Sequence, residues 1–412
     1  MLKIQRNEDA GLFDRIVLLA AIGYYSASYF VGILFEDSSL DTIILLGLLT
    51  IMFIAYTAKN RLTIRVRFSS IFIYYCVIAL LFYISGLWAM SRSTAIWWGT
   101  EILEITFGLF IISLCFNTKN GIERMISVIV IGGYCVVIYA ILFYGWDTLT
   151  SYIGRTSRIS NDAINANTLG MCIAYAIVGN VYFILKKKIK WWSILSFPSI
   201  VVLIATGSRK ALFIAFVGSL LLIMELNRKK DSRMLKILRN ILILAIFIFI
   251  ITELANTAAF IGVGERIRQL LSGLFGTGGG DNSTIIRLRL ISIGVDIFKK
   301  HPFLGIGIDN AKFVAGPMFG LETYYLHNNY IELLADVGII GFAIYYSVYI
   351  VLLVKYIKNR DFDSPEYCFC LTLLVFMLVM DFGMVSFQSK ETYFFLLVIF
   401  MESERIVNRK EM

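Results

Sequence analysis

Met125–Tyr144, MISVIVIGGYCVVIYAILFY, runs for twenty residues without a charge. A helix of that length is about 30 Å long, which matches the hydrocarbon core of a bilayer. Working outward, further apolar segments fall at 16–35, 42–58, 68–88, 99–116, 167–185, 191–206, 211–226, 240–260, 338–354, 366–386 and 393–402. The sequence therefore predicts an all-α polytopic membrane bundle of about twelve transmembrane helices, with residues 1–412 as a single transmembrane domain. The first run is too long for a cleaved signal core and reads as a signal anchor.

Composition supports the same class. Hydrophobic residues make up 58% of the chain and charged residues 16%, whereas soluble domains sit near 45–50% and 25%. The net charge of +9 would suit nucleic acid, but the cations form short clusters between apolar runs, so no nucleic-acid partner is expected. All six cysteines lie inside apolar segments, where they read as small packing residues rather than disulfide or zinc ligands.

Alternate connections are strongly basic, including Lys59–Arg67, Lys186–Lys190 and Arg228–Arg239. They place 25 of the 38 Lys and Arg on one side, which the positive-inside rule makes cytoplasmic, together with both termini. Cytoplasmic loops of about a dozen residues leave no room for a nucleotide-binding domain. On the outer face lie a medium connection, 145–166, and one long extracytoplasmic loop, 261–337, expected to hold short helices. Loops of that length are usually functional or disordered. Its run Gly276–Gly280 lacks dinucleotide-binding spacing and reads as a hinge.

Thirteen cations remain outside, among them Arg155, Arg158, Arg209, Lys210, Arg287, Arg289 and Lys312. Outer cations in a membrane protein suit an anion, against the ordinary alternative of solvated or snorkelling charge. Projecting Ser283–Lys300 as a helix puts Arg289, Ser292 and Asp296 on a polar stripe. Arg287 falls among Leu290, Ile291, Ile293, Gly294 and Ile297 on the apolar face, where a guanidinium needs an anion or a carboxylate. The same projection over His327–Val337 puts Asn328, Asn329, Glu332 and Asp336 on one polar face and His327 with Ile331 and Leu334. Arg209 sits in a short turn, Thr206–Lys210, between two apolar segments.

Four motifs, Gly207-Ser208-Arg209-Lys210-Ala211, Arg287 followed by His301-Pro302-Phe303-Leu304-Gly305-Ile306-Gly307, Leu326-His327-Asn328-Asn329-Tyr330, and Leu334-Ala335-Asp336-Val337-Gly338-Ile339-Ile340-Gly341, occur in this order. Together they resemble the O-antigen ligase and O-antigen polymerase superfamily. Lys210 stands where that family has a small residue, and Asp336 where it has glutamate. The resemblance implies a glycosyltransferase of the bacterial cytoplasmic membrane whose donor is a glycan on undecaprenyl pyrophosphate and whose acceptor is a glycan hydroxyl. A flippase and a chain-length regulator are the partners such a system implies. Arg209 and Arg287 would stabilise the leaving pyrophosphate and His327 would take the acceptor proton. Arg289, Lys210, Asn328, Tyr330, Arg155 and Arg158 are candidates for substrate binding. Neither a metal nor a cofactor is expected.

Polymerisation of repeat units for O-antigen, capsule or exopolysaccharide is the favoured expectation, and ligation of finished glycan to another acceptor is the alternative. A lipid-glycan transporter would place its ionisable groups near the bilayer midplane rather than in outer loops. A receptor would need an appended domain.

Overall fold

The computed structural model describes residues 2–34, 38–62, 69–153, 159, 166–187, 192–226, 237, 240–241 and 282–411. The expected span 240–260 (except 240–241), the glycine run 276–280, Arg155 and Arg158 lie outside them. Every regular element among the described residues is helical. In chain order the helices are α1 Leu2–Leu34, α2 Ser38–Lys59, α3 Ser70–Ser85, α4 Arg92–Phe116, α5 Gly121–Tyr144, α6 Trp146–Ser151, α7 Ala166–Lys187, α8 Trp192–Ala205, α9 Arg209–Phe213, α10 Ser219–Leu226, α11 Asn282–Lys300, α12 Ala311–Ala315, α13 Asn329–Lys358, α14 Pro365–Met380 and α15 Lys390–Glu411. A π-helical turn, Ile214–Gly218, joins α9 to α10.

The expectation of about twelve spans is met in part. Five described helices are long and apolar enough to cross a membrane, namely Thr42–Lys59 and Asn329–Lys358 with α4, α5 and Ala166–Lys186. Three shorter apolar helices accompany them. The run expected at 393–402 belongs to the longer α15, 22 residues. Its side chains from Thr392 to Phe400 are all buried. A helix packed inside protein has no need to match its apolar length to the bilayer.

The backbone divides into two compact units. The first takes Met1–Arg65, Ile111–Leu271 and Asp361–Thr372, as far as these are described. Here Asp14 of α1 accepts hydrogen bonds from Lys59 of α2 at 2.6 Å and Arg124 of α5 at 3.3 Å. Burial pushes its carboxyl up, but the two cations outweigh that and hold Asp14 below the usual carboxylate range. Lys186 of α7 donates to Glu123 of α5 at 2.8 Å and to Glu366, which also accepts the Tyr182 hydroxyl at 2.9 Å.

The second unit takes Val66–Phe110, Ser272–Arg360 and Leu373–Met412, again as far as described. Several of its tyrosines place their hydroxyls on main-chain carbonyls: Tyr74 on Tyr345 at 2.5 Å, Tyr75 on Tyr393 at 2.6 Å and Tyr356 on Ile399 at 3.0 Å. Such an acceptor offsets the cost of taking a phenol out of water. This unit also holds α11, α12 and α13.

Candidate functional site

The centre of the second unit is a broken helix. At Gly338 the backbone of α13 takes φ 63 and ψ −170, which is non-helical, so the ladder fails there. In an unbroken helix the N–H groups of Ile339 and Ile340 would bond the carbonyls of Ala335 and Asp336. Instead they donate to the carbonyls of Pro302 at 2.9 Å and Phe303 at 3.3 Å. The vacated carbonyls of Ala335 and Asp336 accept from Ile306 at 3.1 Å and Gly307 at 2.7 Å. The segment 302–307 therefore replaces, bond for bond, what the break removes. This close pairing explains two glycines of the motifs. A Cβ on Gly305 would lie 2.3 Å from the carbonyl of Asp336, and one on Gly338 would lie 2.3 Å from that of Phe303; both have φ near +63. The HPFLGIG and LADVGIIG motifs are two halves of one joint.

Three buried carboxylates brace it. Asp336 accepts the backbone N–H groups of Asp309 at 2.7 Å, Asn310 at 3.0 Å and Ala311 at 2.8 Å. Glu332, one turn earlier, accepts the N–H of Leu326 at 2.6 Å. Asp309 accepts from Trp98 at 2.8 Å, Lys312 at 2.5 Å and Gln388 at 2.9 Å, and its own backbone is left-handed at φ 57. Burial pushes the Asp309 carboxyl up from the usual range, against the downward pull of the hydrogen bonds from Lys312 and Trp98. The polar face expected for Glu332 and Asp336 is thus fully buried, because both side chains cap main-chain donors of the loop rather than meet solvent.

His327 is not on the helix where projection puts it. The helix begins at Asn329, with Asn328 as its N-cap accepting the N–H of Ile331 at 3.1 Å. His327 precedes that cap in a left-handed conformation, φ 58. Such a backbone costs on the order of 1–3 kcal/mol and persists only where neighbours impose it. The neighbours do so here. The N–H of Leu326 is held by Glu332 and its side chain is in the core, while the Asn329 N–H donates to the Asp381 carbonyl at 2.8 Å. The imidazole lies 4.0 Å from the Tyr325 ring and 5.6 Å from the Tyr324 ring, centroid to centroid.

The helix α11 follows the projected pattern. Leu290, Ile293 and Ile297 enter the core with Ala311, Ala315, Leu326 and Ala335, and Ser292, Asp296, Lys299 and Lys300 are exposed. It meets α13 at Gly294, where a Cβ would lie 2.3 Å from Ile331 and 2.6 Å from Leu326. Arg287 is half-buried two turns earlier, about 10 Å along the axis from that contact beside His327. Arg289 is exposed, and its guanidinium lies 5.4 Å over the Phe319 ring. Phe319 in turn meets Tyr324 edge-on at 5.3 Å, so Arg289, Phe319, Tyr324 and His327 form one continuous run of contacts.

Other candidates fall elsewhere. Tyr330 stacks on Tyr346 at 4.9 Å, and its hydroxyl donates to the Leu378 carbonyl at 2.7 Å. Asn328 also donates to the Phe382 carbonyl at 3.3 Å. Arg209 and Lys210 belong to the first unit and open α9. There Gly207 turns the chain at φ 57 and Ser208 caps the helix on the Ala211 N–H at 3.5 Å. Ile159 is tied to this turn by its N–H on the Ala205 carbonyl at 3.1 Å. The π-helical turn follows directly, and such irregularities are frequent at functional positions. Among the described residues no group of three or more His, Cys, Asp or Glu is placed to hold a metal ion. Asp309, Asn310 and Gln388 were not among the candidates from sequence. Only the Asp309-Asn310 pair, one residue beyond Gly305-Ile306-Gly307, hinted at them.

Fold and site define a multi-pass, all-helical membrane protein whose loop motifs lock onto a broken helix. Residues 194–346 match the family model of the O-antigen ligases, a segment that contains all four motifs. The chain is similar to that family over this segment, which turns the resemblance read from the motifs into a finding. No curated protein matches the chain.

Proposed function

We propose that this protein transfers a glycan from an undecaprenyl-pyrophosphate carrier to a hydroxyl of a second glycan, at the outer face of a bacterial cytoplasmic membrane. The O-antigen ligase match supports glycan transfer in polysaccharide or glycoconjugate assembly. The observation that carries the reading is His327, held in a strained backbone between two anchored neighbours within the matched segment. Strain maintained by its surroundings is a mark of functional positions.

In the reaction the acceptor oxygen attacks the anomeric carbon as its proton passes to the His327 imidazole. The bond from that carbon to the pyrophosphate oxygen breaks, and its electron pair leaves on the lipid pyrophosphate. Arg287 neutralises the charge gathered there, with Arg289 assisting, since guanidinium groups pair with phosphate oxygens in a bidentate manner. A positioned general base contributes roughly 10²–10⁴-fold.

Polymerisation of surface-polysaccharide repeat units is the favoured form. Ligation to a different acceptor is the second reading, favoured by the description of the matching family. Purified protein in detergent, given one lipid-pyrophosphate-linked repeat unit, should form a ladder of products if it polymerises. Product only on addition of a different glycan acceptor would assign ligation. No transfer to any glycan hydroxyl would sink the proposal.

A further inference from the structure

Asp381, at the C-terminal end of α14, is a buried carboxylate that the transfer chemistry does not use. We propose that Asp381, with the hydroxyls of Tyr345, Tyr349 and Ser386, forms a site for one monovalent alkali cation, sodium or potassium. The ion is structural and takes no part in the transfer step, so the inference stands apart from the glycan-transfer reading.

The first observation is charge. Asp381 is 1% exposed, and among the described residues its carboxylate meets no Lys, Arg or His. Its Oδ2 accepts the Tyr346 hydroxyl at 2.7 Å and the Asn329 amide at 3.4 Å. The Tyr346 oxygen itself accepts from Asn329 at 2.9 Å, which turns its proton towards Asp381. Two donors on one oxygen favour the ionised form. The negative end of α14, a 16-residue helix closing at Met380, adds to the same side of the balance. A charge so deeply buried persists only when it is paired.

The second observation is a set of orphaned hydroxyls. Tyr345 and Tyr349, one turn apart on α13, are buried together with Ser386, and none of their three hydroxyls has a hydrogen-bond partner. They converge all the same. The Tyr345 hydroxyl neighbours those of Tyr349 and Ser386, and the Ser386 hydroxyl neighbours the Asp381 carboxylate. Tyr75 and Tyr356 in the same unit each reach a carbonyl. Three unmet hydroxyls gathered at one carboxylate therefore point to an occupant.

A proton on Asp381 would remove the charge and leave the hydroxyl oxygens unmet. A water molecule would meet the hydroxyls and leave the charge. A monovalent cation answers both, because carboxylate and hydroxyl oxygens form a hard, all-oxygen ligand set. A divalent ion would exceed the single carboxylate by one charge. The site also fixes the start of α13. Asn329 donates its N–H to the Asp381 carbonyl at 2.8 Å, and its side chain accepts the N–H groups of Ser386 at 3.0 Å and Phe387 at 3.2 Å. The ion thereby ties the connection 381–389 to the residue two places after His327.

The test uses full-length protein in detergent, exchanged into choline chloride and titrated with sodium or potassium chloride at constant ionic strength. Melting temperature and binding of radioactive sodium are read. Melting should rise with cation concentration, with one ion bound per chain. Tyr349→Phe and Ser386→Ala each delete one ligand oxygen and should weaken binding about tenfold, and Asp381→Asn should abolish it. Tyr356→Phe, whose lost hydroxyl serves the Ile399 carbonyl, should bind as wild type does. Equal melting in sodium, potassium and choline would overturn the site. Equal affinity in wild type, Tyr349→Phe and Ser386→Ala would overturn it too, by placing the ion elsewhere. So would a stability indifferent to cations that falls as pH rises in wild type but not in Asp381→Asn, since a proton would then be the neutralising charge. Cation binding by protein that transfers no glycan would leave the site standing while the transfer reading fails.

Discussion

Asp336 and Ala311, 25 residues apart in the chain, are joined at 2.8 Å, with the carboxylate of the first accepting the N–H of the second. The same carboxylate takes the N–H groups of Asp309 and Asn310, the latter shared with the Gly307 carbonyl at 3.2 Å, so one side chain gathers the main-chain donors at the start of α12. Asp336→Ala should cost about 3 kcal/mol or more, since each buried donor left unmet costs about 1–3 kcal/mol. Thermal unfolding in detergent measures this, and a melting temperature equal to wild type would refute the bracing role. Asp336→Asn keeps an acceptor oxygen and should lose less.

Gly338→Ala meets two penalties, a left-handed φ and a Cβ placed 2.3 Å from the Phe303 carbonyl. Either the loop or the helix must move, and the expected loss is about 3–5 kcal/mol. Gly305→Ala should behave alike because it faces the same joint from the other side. Near-normal accumulation and melting of both variants would contradict the bond-for-bond exchange.

Arg287→Lys should retain partial transfer while Arg287→Gln is nearly inactive, because a point charge keeps attraction but loses the bidentate geometry. His327→Asn should resemble His327→Ala, losing turnover by roughly 10²–10⁴-fold with donor affinity kept. Rates come from the ladder assay. Wild-type turnover by His327→Asn would remove the base role.

Orientation is tested across one helix. At about 1.5 Å per residue, the arm of α13 after the break, residues 339–358, reaches roughly 30 Å, and exposed positions flank the two ends of α13. Single cysteines at Thr323 and Lys358 in a cysteine-free background should label oppositely with an impermeant thiol reagent, the first from outside. Labelling of Lys358→Cys from outside, with Thr323→Cys protected, would reverse the topology and the mechanism with it.

The Asp14 carboxylate, held below its ordinary range, stabilises the first unit above the unfolded carboxylate value, near ~3.9, and loses that contribution as pH falls through the lower folded value. Asp14→Asn should remove that acid-dependent part, about 1 kcal/mol for a pair partly open to water. Melting temperature against pH reads it. Identical pH profiles for variant and wild type would mean that the cluster contributes nothing.

How much of this was legible depended on whether side-chain period or backbone exchange decided the structure. The faces of α11 follow from spacing alone, because Leu290, Ile293 and Ile297 recur at helical intervals and do enter the core. The division between the polar stretch ending at Val337 and the apolar run starting at 338 coincides with the break in α13. His327 was misplaced because projection assumes a helix already under way, whereas Asn328 caps it one residue later. Glu332 and Asp336 were read as part of one polar face, but what that face meets was not legible, because the N–H groups that they accept, those of Leu326, Asp309, Asn310 and Ala311, lie outside the helix that was projected. Periodicity is blind to main-chain donors. The roles of Asp309, Trp98 and Gln388 were illegible because they meet only through long-range contact.

The exchange of hydrogen bonds at Gly338 also limits how the site can move. Sliding the first arm of α13 by one residue would strand four main-chain groups at once. The joint therefore behaves as a rivet rather than a hinge. Phe303 and Leu304, whose side chains stand exposed on the paired segment, are rigidly mounted to the same arm that starts beside His327. A displacement of those two residues is carried by the paired backbone into the first arm of α13 instead of being absorbed by a soft loop.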